Sequence, residues 1–161
     1  MTEIVLKPIG FVRSSRTEPI DDNWDAVESY IEVEKELGED CLAGLEEFSH
    51  VEVIYFFHKV EAGKVVTGSE HPRENPNWPK VGIFAQRKKA RPNRLGATVS
   101  KIIKIDGRRL FLSSFDAIDG TPVVDIKPVM AEYLPKGEVR QPAWSTEMMK
   151  GYWSLPPSPS R

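Results

Sequence analysis

Short apolar and β-branched runs recur along this chain, and in some of them apolar and polar positions alternate with a period of two, the signature of strands with one buried face. Residues 3–13, EIVLKPIGFVR, are β-rich, but Pro8 lacks a ladder donor and Gly10 weakens the run, so an edge strand or a bulge is predicted. In 27–35, Ile31 and Val33 share one face while Glu32 and Glu34 take the other. Residues 51–60, VEVIYFFHKV, form the most apolar stretch and predict a central strand. Runs at 95–105 and 109–115 flank Asp106-Gly107, a hairpin turn signal. In 123–127, simple alternation puts Val124 and Ile126 on one face and Val123, Asp125 and Lys127 on the other. Two segments read as helical instead. Cys41, Leu42, Leu45 and Phe48 recur as one face of a short helix over 38–48, with Cys41 a packed thiol, and a helical turn is predicted near 146–150.

Short strands with frequent turn signals and one or two short helices predict an all-β, or mostly β, barrel. Residues 1–134 read as the barrel and 135–161 as a C-terminal extension whose end, PPSPSR, is expected to be disordered. The glycines and prolines of 61–79 predict a long surface loop. Trp24, set among Asp21, Asp22, Asn23 and Asp25, is expected either to stack on a ligand or partner or to pack over a core edge.

Composition adds boundaries. A single cysteine among 161 residues permits no intrachain disulfide and favours a reducing compartment. No apolar run approaches the roughly 20 residues that span a bilayer, and the first residues lack a signal-peptide pattern, so a cytoplasmic protein is expected. The formal net charge of -2 conceals an asymmetry: residues 1–62 carry 15 acidic and 5 basic side chains, whereas 80–109 carry 10 basic and 1 acidic. Such a basic block suits a polyanion, or else neutralises the acidic block across the fold.

The chemistry is narrowed by what is missing. Neither G-x-G-x-x-G nor a phosphate-loop motif occurs. His50 and His58 are eight residues apart, about 26 Å on a straight strand, too far to share a metal, so none is expected. Two constellations remain. Arg87, Lys88, Lys89, Arg91 and Arg94 surround Pro92-Asn93 on one loop, fixed charge suited to phosphate or carboxylate. Asp116, Asp119 and Asp125 surround Gly120-Thr121-Pro122, where a carboxylate can hold a ribose hydroxyl or a cation. These residues alone support a β-barrel with a basic loop facing a ligand or RNA.

Three ordered segments, FSHVEVIYFFHK (48–59), GIFAQRKKARPNRLG (82–96) and DAIDGTPVVDIKP (116–128), resemble the TsaA/TrmO family, also called YaeB-like or VirR-like. The resemblance implies a single-sheeted barrel, S-adenosylmethionine as cofactor, a homodimer, and methylation of N6 of threonylcarbamoyladenosine beside the tRNA anticodon. By position it assigns His58, Lys59, Arg87, Asp119, Gly120, Thr121 and Pro122 to the cofactor, with His58 a candidate proton acceptor. Lys88, Lys89, Arg91, Asn93 and Arg94 fall to the RNA. Competing structural roles are a strand-end hydrogen bond for His58, phosphate or subunit contacts alone for Arg87 and Arg91, and an ion pair for Asp125 and Lys127. Arg94-Leu95-Gly96 follows Asn93 where the family's commonest form has Pro-Ile-Gly, Val129 replaces a tyrosine, and an acidic loop at 21–25 replaces a basic one. The extra C-terminal domain of longer bacterial members is not matched. Two alternatives stay open: a methyltransferase of the same architecture acting on a small molecule or another nucleotide, and a non-catalytic RNA-binding barrel.

Overall fold

A computed structural model of the chain describes residues 2–154. The expected disorder of 156–161 lies outside the described residues. Six strands close into one antiparallel barrel in the order β1-β2-β7-β6-β3-β8. In chain order these are β1 (Gly10–Ser14), β2 (Ser29–Val33), β3 (His50–Phe56), β6 (Leu95–Asp106), β7 (Arg109–Ser113) and β8 (Pro122–Pro128). Between β3 and β6, β4 (Ser69–Glu70), inside the predicted loop of 61–79, pairs with β5 (Val81–Gly82), just beyond it, as a separate two-stranded sheet. One α-helix, α1 (Ala143–Met148), follows the barrel among the described residues. Closure pairs β1 with β8, so the barrel itself has no open edge.

The alternation predicted for β2 is observed, and β3, expected as an apolar central strand, alternates too; Val12, Ile31, Val51, Val53, Leu110 and Val123 are fully buried. Elsewhere the structure corrects the reading. The first strand begins only at Gly10, after Pro8, and Ile4 and Val5 stay exposed. The predicted helix over 38–48 is a series of turns with a 3-10 segment at Leu45–Glu47, because Gly38 and Gly44 take φ of 94° and 86°, outside any right-handed helix. Cys41 is consequently exposed while Leu42 packs inward.

Two bulges reset the inside-outside phase of long strands. On β8 the register shifts between Ile54 and Tyr55, whose partners are Asp125 and Val123. Val123 and Ile126 therefore both pack on the core, against the simple alternation expected, and Asp125 pairs with Lys127 at 2.6 Å. On β6 the shift falls between Ile102 and Lys104, so that Ile102 and Ile105 face the core and Lys104 lies opposite Phe111.

Candidate functional site

Aromatic side chains from β3 and from the segment after the barrel meet over one end of the sheet. Tyr55 is buried inside the barrel mouth, edge-on to Phe57 and Phe115 at ring-centroid distances of 5.4 and 5.6 Å. Gly96, paired with Tyr55 across β3 and β6, makes this position possible: a Cβ there would lie 2.5 Å from Cε2 of the Tyr55 ring. The Tyr55 hydroxyl donates to Asp116 at 3.0 Å and also bonds the Thr98 hydroxyl at 3.0 Å. Thr98 and Tyr152 each donate a further hydrogen bond to the same carboxylate. Burial, then the neighbouring Asp116, pushes both phenols far above their ordinary pKa, so both remain protonated donors.

Tyr152 belongs to a strap fastened across the barrel. The backbone N–H groups of Asn23, Trp24 and Asp25 donate to the carbonyls of Gly151, Tyr152 and Trp153 at 2.9, 3.0 and 2.8 Å. The Trp78 indole donates to Glu147 at 3.0 Å. Trp24, with the Arg16 guanidinium 4.4 Å above its ring, is buried against Val27, Ile118, Tyr152 and Trp153. Of the two roles expected for Trp24, packing is therefore observed. Strap and barrel together enclose a chamber of about 560 Å³ whose walls include Trp24, Tyr55, Phe57, Trp144, Tyr152 and Trp153. A smaller cavity of about 120 Å³ shares Trp24, Tyr55, Phe57, Lys89 and Asp116 with it and adds His58, Lys59 and Thr121.

The predicted site residues divide into three groups. His58, Lys59, Asp119 and Gly120 come together: a Cβ on Gly120 would lie 3.9 Å from His58 Nε2. Partial burial and then the Lys59 ammonium hold His58 below its ordinary pKa, with Asp119 pulling the other way. Lys59 donates to the Thr17 carbonyl at 2.8 Å, and Asp119 accepts from the Ser14 N–H at 3.0 Å. Thr121 is buried with its hydroxyl donating to Ile118, and Pro122 opens β8.

Arg87, Lys88 and Lys89 form the second group, on the chamber wall, each already engaged: Arg87 with the Ala97 carbonyl, Lys88 with Glu70, and Lys89 with Asp21 at 2.8 Å. Arg91 and Arg94 form the third, turned back to carbonyls of Gln86 and Val60 at 2.8 and 2.6 Å, with Arg94 over the Phe56 ring; neither they nor exposed Asn93 line the chamber. Among the described residues no cluster of His, Cys, Asp or Glu is arranged to hold a metal ion, and no helix is long and apolar enough to cross a membrane.

Sequence reasoning grouped Asp116 with Asp119 and Asp125 but missed its hydroxyl partners and the strap. The available signal was the density of Trp144, Met148, Met149, Tyr152 and Trp153 in a segment otherwise read as an appendage.

The model of the tRNA-methyltransferase O N-terminal domain matches residues 13–133, ending before α1 and the strap. A mouse tRNA (adenine(37)-N6)-methyltransferase is 45% identical over 95 residues, covering 59% of this chain and 22% of that protein. A probable S-adenosyl-L-methionine-binding protein of Pyrococcus abyssi is 37% identical over 144 residues, covering 86% of this chain and 72% of that one. The crystal structure of TrmO from Pseudomonas aeruginosa superposes with a TM-score of 0.72 at 27% identity, covering 89% of this chain and 62% of the other. The chain thus spans under a quarter of the length of the mammalian relatives it matches.

Proposed function

Because the chain belongs to the tRNA-methyltransferase O N-terminal domain family, we propose that it is an S-adenosylmethionine-dependent methyltransferase acting on N6 of threonylcarbamoyladenosine in tRNA. The observation that carries the proposal is the chamber, where aromatic faces surround a fixed carboxylate beside the cluster of His58, Lys59, Asp119 and Gly120. This donor set fits the cofactor: aromatic rings and Asp116 suit a sulfonium cation, and Arg87 and Lys89 on the wall suit its carboxylate. When bound, the cofactor supplies an electrophilic methyl group.

The protein's part is alignment and proton management. Tyr55 and Tyr152, both protonated, hold the Asp116 carboxylate in one orientation. His58, kept neutral through neutral pH, retains a lone pair to accept the proton that the acceptor nitrogen must lose. Asp119 ties the adjoining turn to β1 by accepting from the Ser14 N–H, and Gly120 leaves open space beside the imidazole. Within the domain division 1–134 and 135–161, the barrel carries the catalytic residues and the strap, through Tyr152, covers the chamber. A homodimer and a cytoplasmic location belong to the same reading, and Phe84 and Tyr133, 80% and 85% exposed, are apolar groups suited to a subunit contact.

Calorimetric titration of S-adenosylmethionine, with Arg87→Ala and Asp119→Ala alongside, tests the proposal together with methyl incorporation into tRNA carrying threonylcarbamoyladenosine. Saturable binding weakened about tenfold or more by each substitution, about 1.4 kcal/mol, is expected; absence of both binding and transfer by folded protein refutes it. The pairing of Lys88 with Glu70 and Lys89 with Asp21 favours a second reading, a small-molecule acceptor, under which turnover is nearly independent of salt.

A further inference from the structure

A second feature lies on the outside of the barrel and meets the His58 cluster only at Asp119. Strands β1, β2, β7 and β6 are adjacent, and their registers place Arg13 opposite Tyr30, Tyr30 opposite Phe111, and Phe111 opposite Lys104. Four strands therefore present one transverse row of cation, ring, ring and cation. The row depends on the β6 bulge, which brings Lys104 opposite Phe111 while Ile102 and Ile105 stay inward.

Within the row, the Tyr30 and Phe111 rings lie 4.9 Å apart at an interplanar angle of 32°. Lys104 Nζ is 4.5 Å from the Phe111 centroid, and the Arg109 guanidinium, from the next outward position on β7, is 5.8 Å from that of Tyr30. A shallow groove of about 670 Å³ runs beside Arg13, Tyr30, Lys104 and Phe111 and shares no lining residue with the chamber.

Charge decides what fits there. Lys104 and Arg109 form no salt bridge among the described residues, and Arg13 meets Glu32 at 3.5 Å, a loose exposed pair of small worth. Three carboxylates also line the groove; Asp119 accepts from the Ser14 N–H and Asp25 from the hydroxyls of Ser114 and Ser154, which pin these two without removing their charge, so the positive side of the surface is the row of Arg13, Lys104 and Arg109 rather than the groove floor. Glu28 is exposed at the groove edge. The basic loop at 87–94 shows the opposite arrangement, its cations spent on Glu70, Asp21 and backbone carbonyls.

Sheet-borne rings flanked by cations, two of them resting on the rings without a carboxylate partner and the third in a loose pair, match the recognition of unpaired bases, which stack on aromatic faces while basic side chains follow the phosphates. We propose that Tyr30 and Phe111 form a stacking platform for single-stranded RNA, with Arg13, Lys104 and Arg109 holding its phosphates. The inference deepens the tRNA reading and rests on it for the choice of RNA as the polyanion. Strand β6 links the two sites: Val99 lines the chamber and Lys104 the platform, five residues and about 16 Å along the strand at 3.3 Å per residue.

The test is fluorescence-anisotropy titration of a labelled ten-nucleotide oligouridylate and of an RNA duplex of equal length. Two variants accompany the wild type. Tyr30→Leu with Phe111→Leu keeps apolar bulk and removes the ring faces; Lys104→Gln with Arg109→Gln removes charge and carries the test alone if the first variant fails to fold. We expect the single strand to bind better than the duplex and the leucine variant to bind it at least about tenfold more weakly. The glutamine variant should lower the slope of log K against log salt by about 1.4, at 0.7 per phosphate contact. Binding unchanged in both folded variants, equal affinity for the duplex, or no binding by the wild type overturns the platform.

Methyl incorporation into tRNA by the wild type separates the two ideas. Transfer with unaltered RNA affinity in the variants refutes the platform alone. Platform-dependent binding without transfer refutes the enzymatic reading and leaves the platform standing.

Discussion

Gly96→Ala is expected to damage both the barrel and the chamber, by a route the structure makes explicit. The added Cβ would sit 2.5 and 2.6 Å from two carbons of the Tyr55 ring and 2.9 Å from Cζ of Phe57. Carbon atoms pack at about 3.5–4.0 Å, so the ring must retreat by roughly 1 Å. Tyr55 has little room, being 2% exposed and wedged edge-on between Phe57 and Phe115. Its hydroxyl bonds Asp116 and Thr98 at 3.0 Å each, and a retreat of that size stretches them beyond hydrogen-bond range. Overpacking costs about 1–3 kcal/mol, and loss of a hydrogen bond to a carboxylate about 1.5–3 kcal/mol. With partial relaxation the sum is about 3 kcal/mol, which lowers the melting temperature of a chain this size by about 6–12 °C. Urea denaturation and thermal melts measure this directly, with Gly82→Ala as the control because nothing lies within 4 Å of its Cβ position. That control should stay within about 0.5 kcal/mol of the wild type. A Gly96→Ala protein equally unaffected would refute the account of why Tyr55 and Asp116 are held where they are.

Two further perturbations probe the strap and the proton acceptor. Tyr152→Phe removes one donor from Asp116 and should cost about 1.5–3 kcal/mol, or about 3–12 °C in melting temperature, with weaker cofactor affinity by calorimetry; unchanged values would mean that the strap merely rests on the barrel. For His58, the ordinary pKa is 6.5 and the folded value lies below it. The unfolded chain therefore binds the proton first, and stability falls as pH drops below about 6.5 until the folded group also titrates. The acid limb of methyl transfer should accordingly be centred below 6.5 and vanish in His58→Gln, whereas a limb at or above 6.5 would contradict this role.

Local physics made most of the barrel legible in advance. Period-two alternation around Ile31 and Val33 identifies an inward face because successive side chains of a pleated strand point to opposite sides, and the apolar run from Val51 marks a strand of the core. Asp106-Gly107 marks the hairpin between β6 and β7, and three ordered motifs point to the family from residues alone. What the tertiary structure decided is every feature that depends on two distant segments meeting. The bulges at β6 and β8 follow from pairing with β7 and β3 rather than from the residues they displace, so the inward turn of Ile126 and the outward turn of Lys104 had no local signal. The partners of Lys88 and Lys89 lie 18 and 68 residues away, which is why a basic loop in the sequence becomes a set of ion pairs in the fold. The same holds for Asp116: its donors Tyr55, Thr98 and Tyr152 are separated from it by 61, 18 and 36 residues, and only closure of the barrel under the strap gathers them around one carboxylate.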